Sequence, residues 1–215
     1  MINKENKIRY KSVNNKKKIS ALVFVAHPDD EIIWMGGLIL RNKNWNWTIL
    51  SLCRKKDNDR NPKFFNVCKL LGVEGIISDL DDELLIPINK IDIIKRILIN
   101  IRERNYYYIF THGENGEYGH IRHKEVHNAV KNVVKKNLIK CNKLYFFNYS
   151  LGKNVPYPEL IPPIAIVKSD LVIELNEEEL KEKKRIIREI YGYPNEKGFE
   201  LMSCGKKEGF LEWRD

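Results

Sequence analysis

The chain has few cysteines, few histidines and no long apolar run, and each scarcity excludes a class of protein. Its four cysteines are scattered and form no C-x-x-C pair: Cys53, Cys68, Cys141 and Cys204. This pattern argues against a cysteine-based zinc site and fits a reducing compartment. No apolar run approaches the ~18 residues that span a bilayer. We therefore expect no transmembrane segment and a cytoplasmic location.

Negative charge is the scarcer sign, since 38 Lys and Arg stand against 29 Asp and Glu for a net charge of +9. Part of the excess positive charge lies in residues 1–18, where Glu5 is the only acidic residue. A basic arm can bind nucleic acid, but no RNP-like motif or basic–aromatic pattern accompanies it. We interpret residues 1–18 as a solvated basic tail and expect no nucleic-acid partner.

The length of 215 residues fits one domain with a large core. A hydrophobic content of 43% and a charged content of 31% are typical of globular proteins. We assign residues 19–215 to a single domain, in which residues 150–215 form a substrate wall and C-terminal extension. The sequence leaves the oligomeric state open, with a homo-oligomer as one option.

Short β-rich runs alternate with amphipathic segments after the tail. We predict strands over residues 20–26, 47–53, 74–78, 107–111, 144–148 and 171–175. We predict helices over residues 35–42, 62–71, 90–104, 122–136 and 177–191. The residues from Gly192 onward show no clear periodicity, so we expect a lid or packing extension there.

This βαβα order favours an α/β fold, a mostly parallel sheet with helices on both faces. In such sheets, ligands bind beyond the carboxyl ends of the strands. His27 follows the first predicted strand and His112 follows the fourth. The order of elements therefore predicts that both histidines lie at the same edge of the sheet.

The five histidines form two groups that are far apart in the chain. His27 ends an apolar run, and three carboxylates follow it within four residues: Asp29, Asp30 and Glu31. The other four histidines lie between positions 112 and 127. If both groups serve one metal ion, the fold must bring them together.

The turn after the first strand has the donors that a hydrolytic zinc site needs, about three protein ligands and one open position for water. His27 and Asp30 are three residues apart on a turn that Pro28 stiffens, so both can reach one point. Asp29 lies between them and is placed to act on the water as a general base. A polar loop with helix-capping carboxylates is the alternative, but the preceding buried strand and the second histidine group favour the metal site.

The second histidine group lies in a glycine-rich loop, residues 111–127, that ends where a helix begins. His120 and His123 are three residues apart across this junction, and His123 and His127 are four apart within the helix. Either pair could therefore share a ligand.

A zincin-like site would use His123 and His127, but it requires Glu directly after the first histidine. Lys124 holds that place. We therefore favour His123 as the single metal ligand of this group, with His120 beside the reacting group and His112 at the edge or in the outer shell. The direct roles of His112 and His127 stay open.

Two motifs together resemble one known family. His-Pro-Asp-Asp-Glu at residues 27–31, with Gly119-His120-x-x-His123 opening a helix, resembles the LmbE-like (PIG-L) de-N-acetylases. The resemblance covers roughly residues 19–150 and, more loosely, residues 170–191. It implies a Rossmann-like sheet, one Zn²⁺ per chain and an N-acetylated sugar or glycoconjugate substrate of the N-acetylglucosamine kind.

The resemblance also assigns roles to single residues. It implies three zinc ligands: His27, Asp30 and His123. It implies that Asp29 is the general base, and that His120 stabilises the oxyanion or protonates the leaving group. Arg60 resembles an arginine that the family places near the substrate.

The chain departs from the family pattern at several places near the substrate region. Lys55 and Lys56 stand where the family commonly has Gly, and Lys63 stands where it has Glu three residues after Arg60. Arg122 precedes His123, where many members have Asp. These departures concern substrate choice rather than metal binding.

The expected reaction is hydrolysis of an acetamido group by zinc-activated water. Asp29 takes the proton of the water, and the oxyanion is aided by His120 as imidazolium or by Tyr118 on the same loop. Two alternatives are a catalytically inactive sugar-binding module and a metal-dependent phosphoesterase. The phosphoesterase usually needs two metal ions, and only five histidines are present.

Overall fold

The structure, a computed structural model, describes residues 18–214. Its strands are β1 Ser20–Val25, β2 Asn46–Cys53, β3 Glu74–Leu80, β4 Asn105–Thr111, β5 Lys140–Phe147, β6 Leu171–Glu174 and β7 Lys207–Glu212. They form one sheet in the order β3-β2-β1-β4-β5-β7-β6. The first five strands pair in parallel, and β7 runs antiparallel to both β5 and β6. The predicted mostly parallel α/β sheet is confirmed.

Helices cover both faces of this sheet. They are α1 Asp30–Arg41, α2 Arg60–Leu71, α3 Lys90–Asn100, α4 Gly116–Gly119, α5 Ile121–Lys135, α6 Glu177–Arg185 and α7 Phe199–Ser203. Side chains of β1 alternate between two cores, one shared with α1, α2 and α7 and the other with α3 and α5. This alternation follows from the two-residue period of a strand, and it makes β1 the buried centre of the domain.

The first helix begins at Asp30, five residues earlier than predicted, and has a kink at Met35 (φ −146°, ψ 16°). The kink removes the helical acceptors of two backbone N–H groups. Those of Gly37 and Leu38 instead donate to the Glu208 carboxylate at 2.7 and 2.9 Å. Lys183 donates to the same buried carboxylate at 2.7 Å. A residue of the last strand therefore completes the first helix.

The C-terminal segment contains two elements that the sequence did not indicate. Residues beyond Gly192 form α7 and β7, and β7 lies inside the sheet between β5 and β6. Its first residues, Lys207-Glu208-Gly209, have low strand propensity. Pairing on both edges overrides that propensity, so part of the expected packing extension is a strand of the sheet.

The sheet register places the ends of three strands side by side. Val25 of β1 pairs with Ser51 of β2, and Phe24 pairs with Thr111 of β4. The residues that follow β1 and β4 therefore meet at one edge, as predicted. The basic tail expected for residues 1–18 lies, except for Lys18, outside the described residues. None of the helices between residues 18 and 214 has the length and apolar character needed to span a bilayer.

Candidate metal centre

Three donor atoms from the two histidine groups converge at the edge of the sheet. His27 Nδ1 lies 3.2 Å from Asp30 Oδ2 and 3.1 Å from His123 Nε2. His123 Nε2 lies 3.4 Å from Asp30 Oδ2. A tetrahedral zinc ion with donor distances of about 2.0–2.2 Å separates its donors by about 3.3–3.6 Å. The triangle is close to this size, so the three residues fit zinc.

The tautomer of His123 leaves the atom in this triangle without a proton. His123 Nδ1 lies 2.6 Å from Glu117 Oε2, which also bonds His112 Nδ1 at 2.9 Å. Burial would raise the pKa of Glu117, but the neighbouring His112 and His123 lower it to about 2. Glu117 is therefore an anion that accepts the Nδ1 proton of His123, and the Nε2 lone pair faces Asp30. The sequence patterns did not single out Glu117.

His27 is held from its other side by Asp82, which lies in the loop after β3. Its Nε2 lies 3.1 Å from Asp82 Oδ1, off the line of a regular hydrogen bond. Arg54 pairs with the other oxygen of Asp82 at 2.6 Å. Burial lowers the pKa of His27, but Asp30 and Asp82 outweigh burial and raise it to about 10. The electrostatics of this cluster therefore favour positive charge at its centre.

Other nearby donors are less suited to a metal ion. His112 Nε2 accepts the backbone N–H of Ala26 at 2.9 Å, so its lone pair is occupied. Burial raises the pKa of the Cys53 thiol well above its usual value, so the thiol stays protonated. His127 donates from Nδ1 to the His112 carbonyl at 2.9 Å. These contacts make His112, Cys53 and His127 less suited to hold a metal ion than the triangle.

The two neighbouring aspartates have opposite electrostatic environments. Burial would raise the pKa of Asp30, but the neighbouring His123, His112 and His27 hold it well below its usual value. Burial and the charge of Asp30 raise the pKa of Asp29 to about 7. A pair of carboxylates separated in this way provides one permanent anion and one group that can exchange a proton near neutral pH.

Two donors hold one oxygen of Asp29. Arg60 donates to Oδ2 at 2.8 Å, and the Tyr193 hydroxyl donates to the same atom at 2.9 Å. The Arg60 guanidinium also lies over the Tyr193 ring, 4.9 Å from its centre. Both groups lower the pKa of Asp29 and so oppose the effect of burial. Tyr193 lies in the C-terminal segment, and no sequence signal marked it.

The backbone of Asp29 is strained, with φ of 115° in a region that side chains other than glycine rarely adopt. Glu31 holds this conformation by accepting the Asp29 N–H at 3.1 Å. The Tyr191 hydroxyl donates to the other oxygen of Glu31 at 2.5 Å. The surrounding contacts thus maintain a turn that directs neighbouring carboxylates to different partners.

A small cavity of about 180 Å³ lies against Asp29 and Asp30. Its other lining residues include Tyr118 and His120. His120 Nδ1 accepts the backbone N–H of Arg122 at 3.3 Å and so caps α5. Burial and the neighbouring His123 and His27 lower the pKa of His120 to about 3. The ring is therefore neutral at neutral pH, and the expected imidazolium is not the form this environment favours.

Arg122, which departs from the family pattern, is buried away from the triangle. It donates to the backbone carbonyls of Asp81 and Ile86 and to the Glu125 carboxylate. These contacts tie the loop after β3 to the start of α5. Arg122 therefore holds the loop that carries Asp82.

The structure brings together all the site residues that the sequence suggested: His27, Asp29, Asp30, Arg60, Tyr118, His120 and His123. Sequence reasoning missed Glu117, Asp82 and Tyr193. Glu117 lies within the histidine-rich loop, so its place among the histidines could have indicated that it bonds to them. Asp82 and Tyr193 reach the site only through the fold, and their local sequence offered none.

Comparison with known proteins agrees with this geometry. A family model described as "GlcNAc-PI de-N-acetylase" (PIG-L) matches residues 22–134, more than half of the chain. An uncharacterized protein of Acanthamoeba polyphaga mimivirus is 27% identical over 190 residues, which cover 80% of this chain and 82% of the relative.

Two solved structures share the fold. The N,N'-diacetylchitobiose deacetylase from Pyrococcus horikoshii aligns with a TM-score of 0.62 and 16% identity, covering 92% of this chain and 85% of that one. A zinc-inhibited form of teicoplanin deacetylase aligns with a TM-score of 0.57 and 11% identity, covering 91% and 99%. The family match, with the fold that these deacetylases share, shows that the chain belongs to the PIG-L (LmbE-like) de-N-acetylase family.

Proposed function

We propose that this protein is a zinc-dependent N-deacetylase that removes an acetyl group from an N-acetylated sugar or sugar conjugate. The observation that carries the proposal is the triangle of His27, Asp30 and His123 with Asp29 beside it. The family match and the fold of the diacetylchitobiose deacetylase support the substrate class. The zinc-inhibited structure of teicoplanin deacetylase indicates that zinc acts on a protein of this fold.

One zinc ion would be held by His27 Nδ1, Asp30 Oδ2 and His123 Nε2. When bound, zinc lowers the pKa of a water molecule toward ~7 and polarises the acyl oxygen. Glu117 and Asp82 orient the two imidazoles from behind, as carboxylates commonly do for histidine ligands.

Asp29 is the proposed general base. Its pKa of about 7 is near the value at which a base both exists in its ionised form and accepts a proton effectively. Arg60 and Tyr193 hold Oδ2, which leaves Oδ1 to take a proton from the attacking water. The water oxygen bonds to the acyl carbon, the C–N bond breaks, and Asp29 returns the proton to the departing nitrogen. The products are acetate and a free amine.

His120 and Tyr118 are the proposed donors to the oxyanion. Because His120 Nδ1 accepts a backbone N–H, the ring proton lies on Nε2, where it can be donated. Burial raises the pKa of Tyr118, so its hydroxyl also stays a donor. One preorganised donor of this kind is typically worth ~3–4 kcal/mol in the transition state. A neutral His120 thus replaces the imidazolium expected from the sequence.

The size of the cavity limits what enters it. At about 180 Å³, it is smaller than the roughly 300–1,000 Å³ typical of sites for drug-sized ligands. Its lining is polar and includes Arg54, Asn154 and Glu200. We infer that the acetamido group and adjacent hydroxyls enter, while the rest of a larger conjugate stays outside.

The proposal is tested by removing metal with a chelator, adding back zinc, and measuring acetate release from N-acetylglucosamine, N,N'-diacetylchitobiose and a nucleotide-linked N-acetylglucosamine. We expect one zinc per chain and acetate release that requires it. Zinc binding without acetate release, together with calorimetric binding of one of these sugars, would instead support the inactive sugar-binding module. Two metal ions per chain and hydrolysis of p-nitrophenyl phosphate would support the phosphoesterase.

A further inference from the structure

The two oxygens of Asp30 have different partners. Oδ2 accepts the backbone N–H of His27 at 2.8 Å and faces His27 Nδ1 and His123 Nε2 in the triangle. Oδ1 accepts the indole N–H of Trp34 at 2.8 Å. Trp34 lies four residues after Asp30 on α1, so the two side chains share one face of the helix. The carboxylate is therefore bonded through both oxygens, but only one of them belongs to the candidate metal site.

The Trp34 ring is locked in this position. It is fully buried and packs edge-on against Tyr149, with 5.3 Å between ring centres. The indole nitrogen is a donor only, and a buried donor without an acceptor costs about 1–3 kcal/mol. Rotation of the ring away from Asp30 would leave the indole N–H without an acceptor. The hydrogen bond therefore restrains both side chains.

The kink in α1 strengthens this restraint. In a regular helix the Trp34 carbonyl would accept the N–H of Leu38. Here Leu38 donates to Glu208, and the Trp34 carbonyl accepts the Tyr149 hydroxyl at 2.5 Å. Trp34 is thus anchored through its backbone and its ring by the same tyrosine.

We propose that Trp34 is a positioning residue that restricts Asp30 to binding zinc through one oxygen. The inference rests on the proposed function, because it assumes that the triangle holds zinc. A carboxylate can bind a metal through one or both oxygens, and the indole N–H occupies the second oxygen of Asp30. With three protein donor atoms, a tetrahedral zinc ion keeps a position for water. A second Asp30 oxygen would crowd that position and raise the coordination number to five.

The test replaces Trp34 by phenylalanine, which keeps an aromatic ring and removes the N–H. We expect W34F to bind zinc about 10–100-fold more weakly, as is typical when an outer-shell partner of a metal ligand is lost. In the cobalt(II)-substituted protein, we expect weaker visible absorption, because five-coordinate cobalt(II) absorbs less strongly than four-coordinate cobalt(II).

The matched control is W47F. Trp47 is also buried in the core and donates its indole N–H to the Asn42 carbonyl at 2.9 Å. Its replacement makes the same chemical change and also removes one hydrogen bond. We expect W47F to keep the zinc affinity and cobalt(II) spectrum of the wild type. This control separates the role of Trp34 from a general loss of core packing.

A second measurement uses the wild-type protein and does not depend on the folding of a variant. In protein with ¹⁵N-labelled tryptophan, one of the four indole N–H signals should move when zinc is added and should exchange slowly with solvent. A W34F cobalt(II) spectrum identical to that of the wild type would overturn the inference. So would the absence of any change in the four indole N–H signals when zinc is added. Wild-type protein that binds no zinc would overturn the proposed function itself.

Discussion

The parallel part of the sheet and the C-terminal segment contribute to the site in different ways. Elements from Ser20 to Lys135 supply the three proposed zinc ligands and both carboxylates behind them. Residues 150–214 supply Tyr193 on Asp29 and Tyr191 on Glu31. The first region therefore builds the metal triangle, and the second acts on the carboxylate proposed as the base.

Because the two regions act on different parts of the site, we expect mutations to change metal affinity and the pH dependence of catalysis separately. The ligands lie at the ends of strands whose register is set by a buried sheet. Tyr193 lowers the pKa of Asp29 without contacting the triangle.

Loss of a ligand should have the largest effect. H123A should lose most of its zinc, because two protein donors hold the ion far less well than three. The measurement is zinc per chain after dialysis. H127A is the control, since His127 lies four residues along the same helix and faces the His112 carbonyl. Equal zinc content in H123A and the wild type would show that the proposed ligand set is wrong.

Loss of the base should abolish turnover without removing the metal. D29N should lower kcat/KM by about 10²–10⁴-fold, the usual contribution of general acid–base catalysis. Its zinc content should stay at the wild-type level, because Asp29 is outside the triangle. Near-normal deacetylation by D29N would refute the assigned base.

Loss of a carboxylate behind a ligand should weaken zinc binding more moderately. E117Q removes the anion that accepts the Nδ1 proton of His123, and we expect a 10–100-fold loss of zinc affinity. Competition with a chelator of known affinity provides the measurement. Y193F, a change in the C-terminal segment, should keep the wild-type affinity. A comparable loss of zinc affinity in Y193F would contradict the proposal that the C-terminal segment does not contribute to metal binding.

Loss of the cation beside Asp29 should shift the pH profile. Arg60 lowers the pKa of Asp29, so R60Q raises it, and the base becomes ionised only at higher pH. The acidic limb of kcat/KM should therefore move upward by about one unit. K63Q removes an equal charge from the same helix, where Lys63 pairs with Asp59 at 2.7 Å. That variant should leave the limb in place.

The smallest effect should come from the Tyr193 hydroxyl. Y193F removes one hydrogen bond to Asp29, which also raises the pKa of Asp29. The limb should move in the same direction as in R60Q but by less, because a neutral donor stabilises the carboxylate less than a full charge does. A downward shift in either variant would contradict the contacts assigned to Asp29.

Most of the parallel sheet could be predicted from the sequence, because its strands are short apolar runs between turn residues. The kink in α1 at Met35 could not, since the N–H groups it frees bond to Glu208, far along the chain. β7 also escaped prediction, because its strand state comes from pairing on both sides rather than from its own residues.

The sequence by itself determined the α/β class, the edge where the histidine groups meet and the residues proposed to act there. These follow from local patterns: alternating burial, strand ends and the spacing of His27, Asp30 and His123. Tertiary structure alone decided that Glu117, Asp82 and Trp34 stand behind those donors, and that Tyr193 reaches Asp29. The physical reason is that hydrogen-bond partners and pKa shifts depend on distances between side chains, and between distant segments only the packed sheet and its helices set those distances.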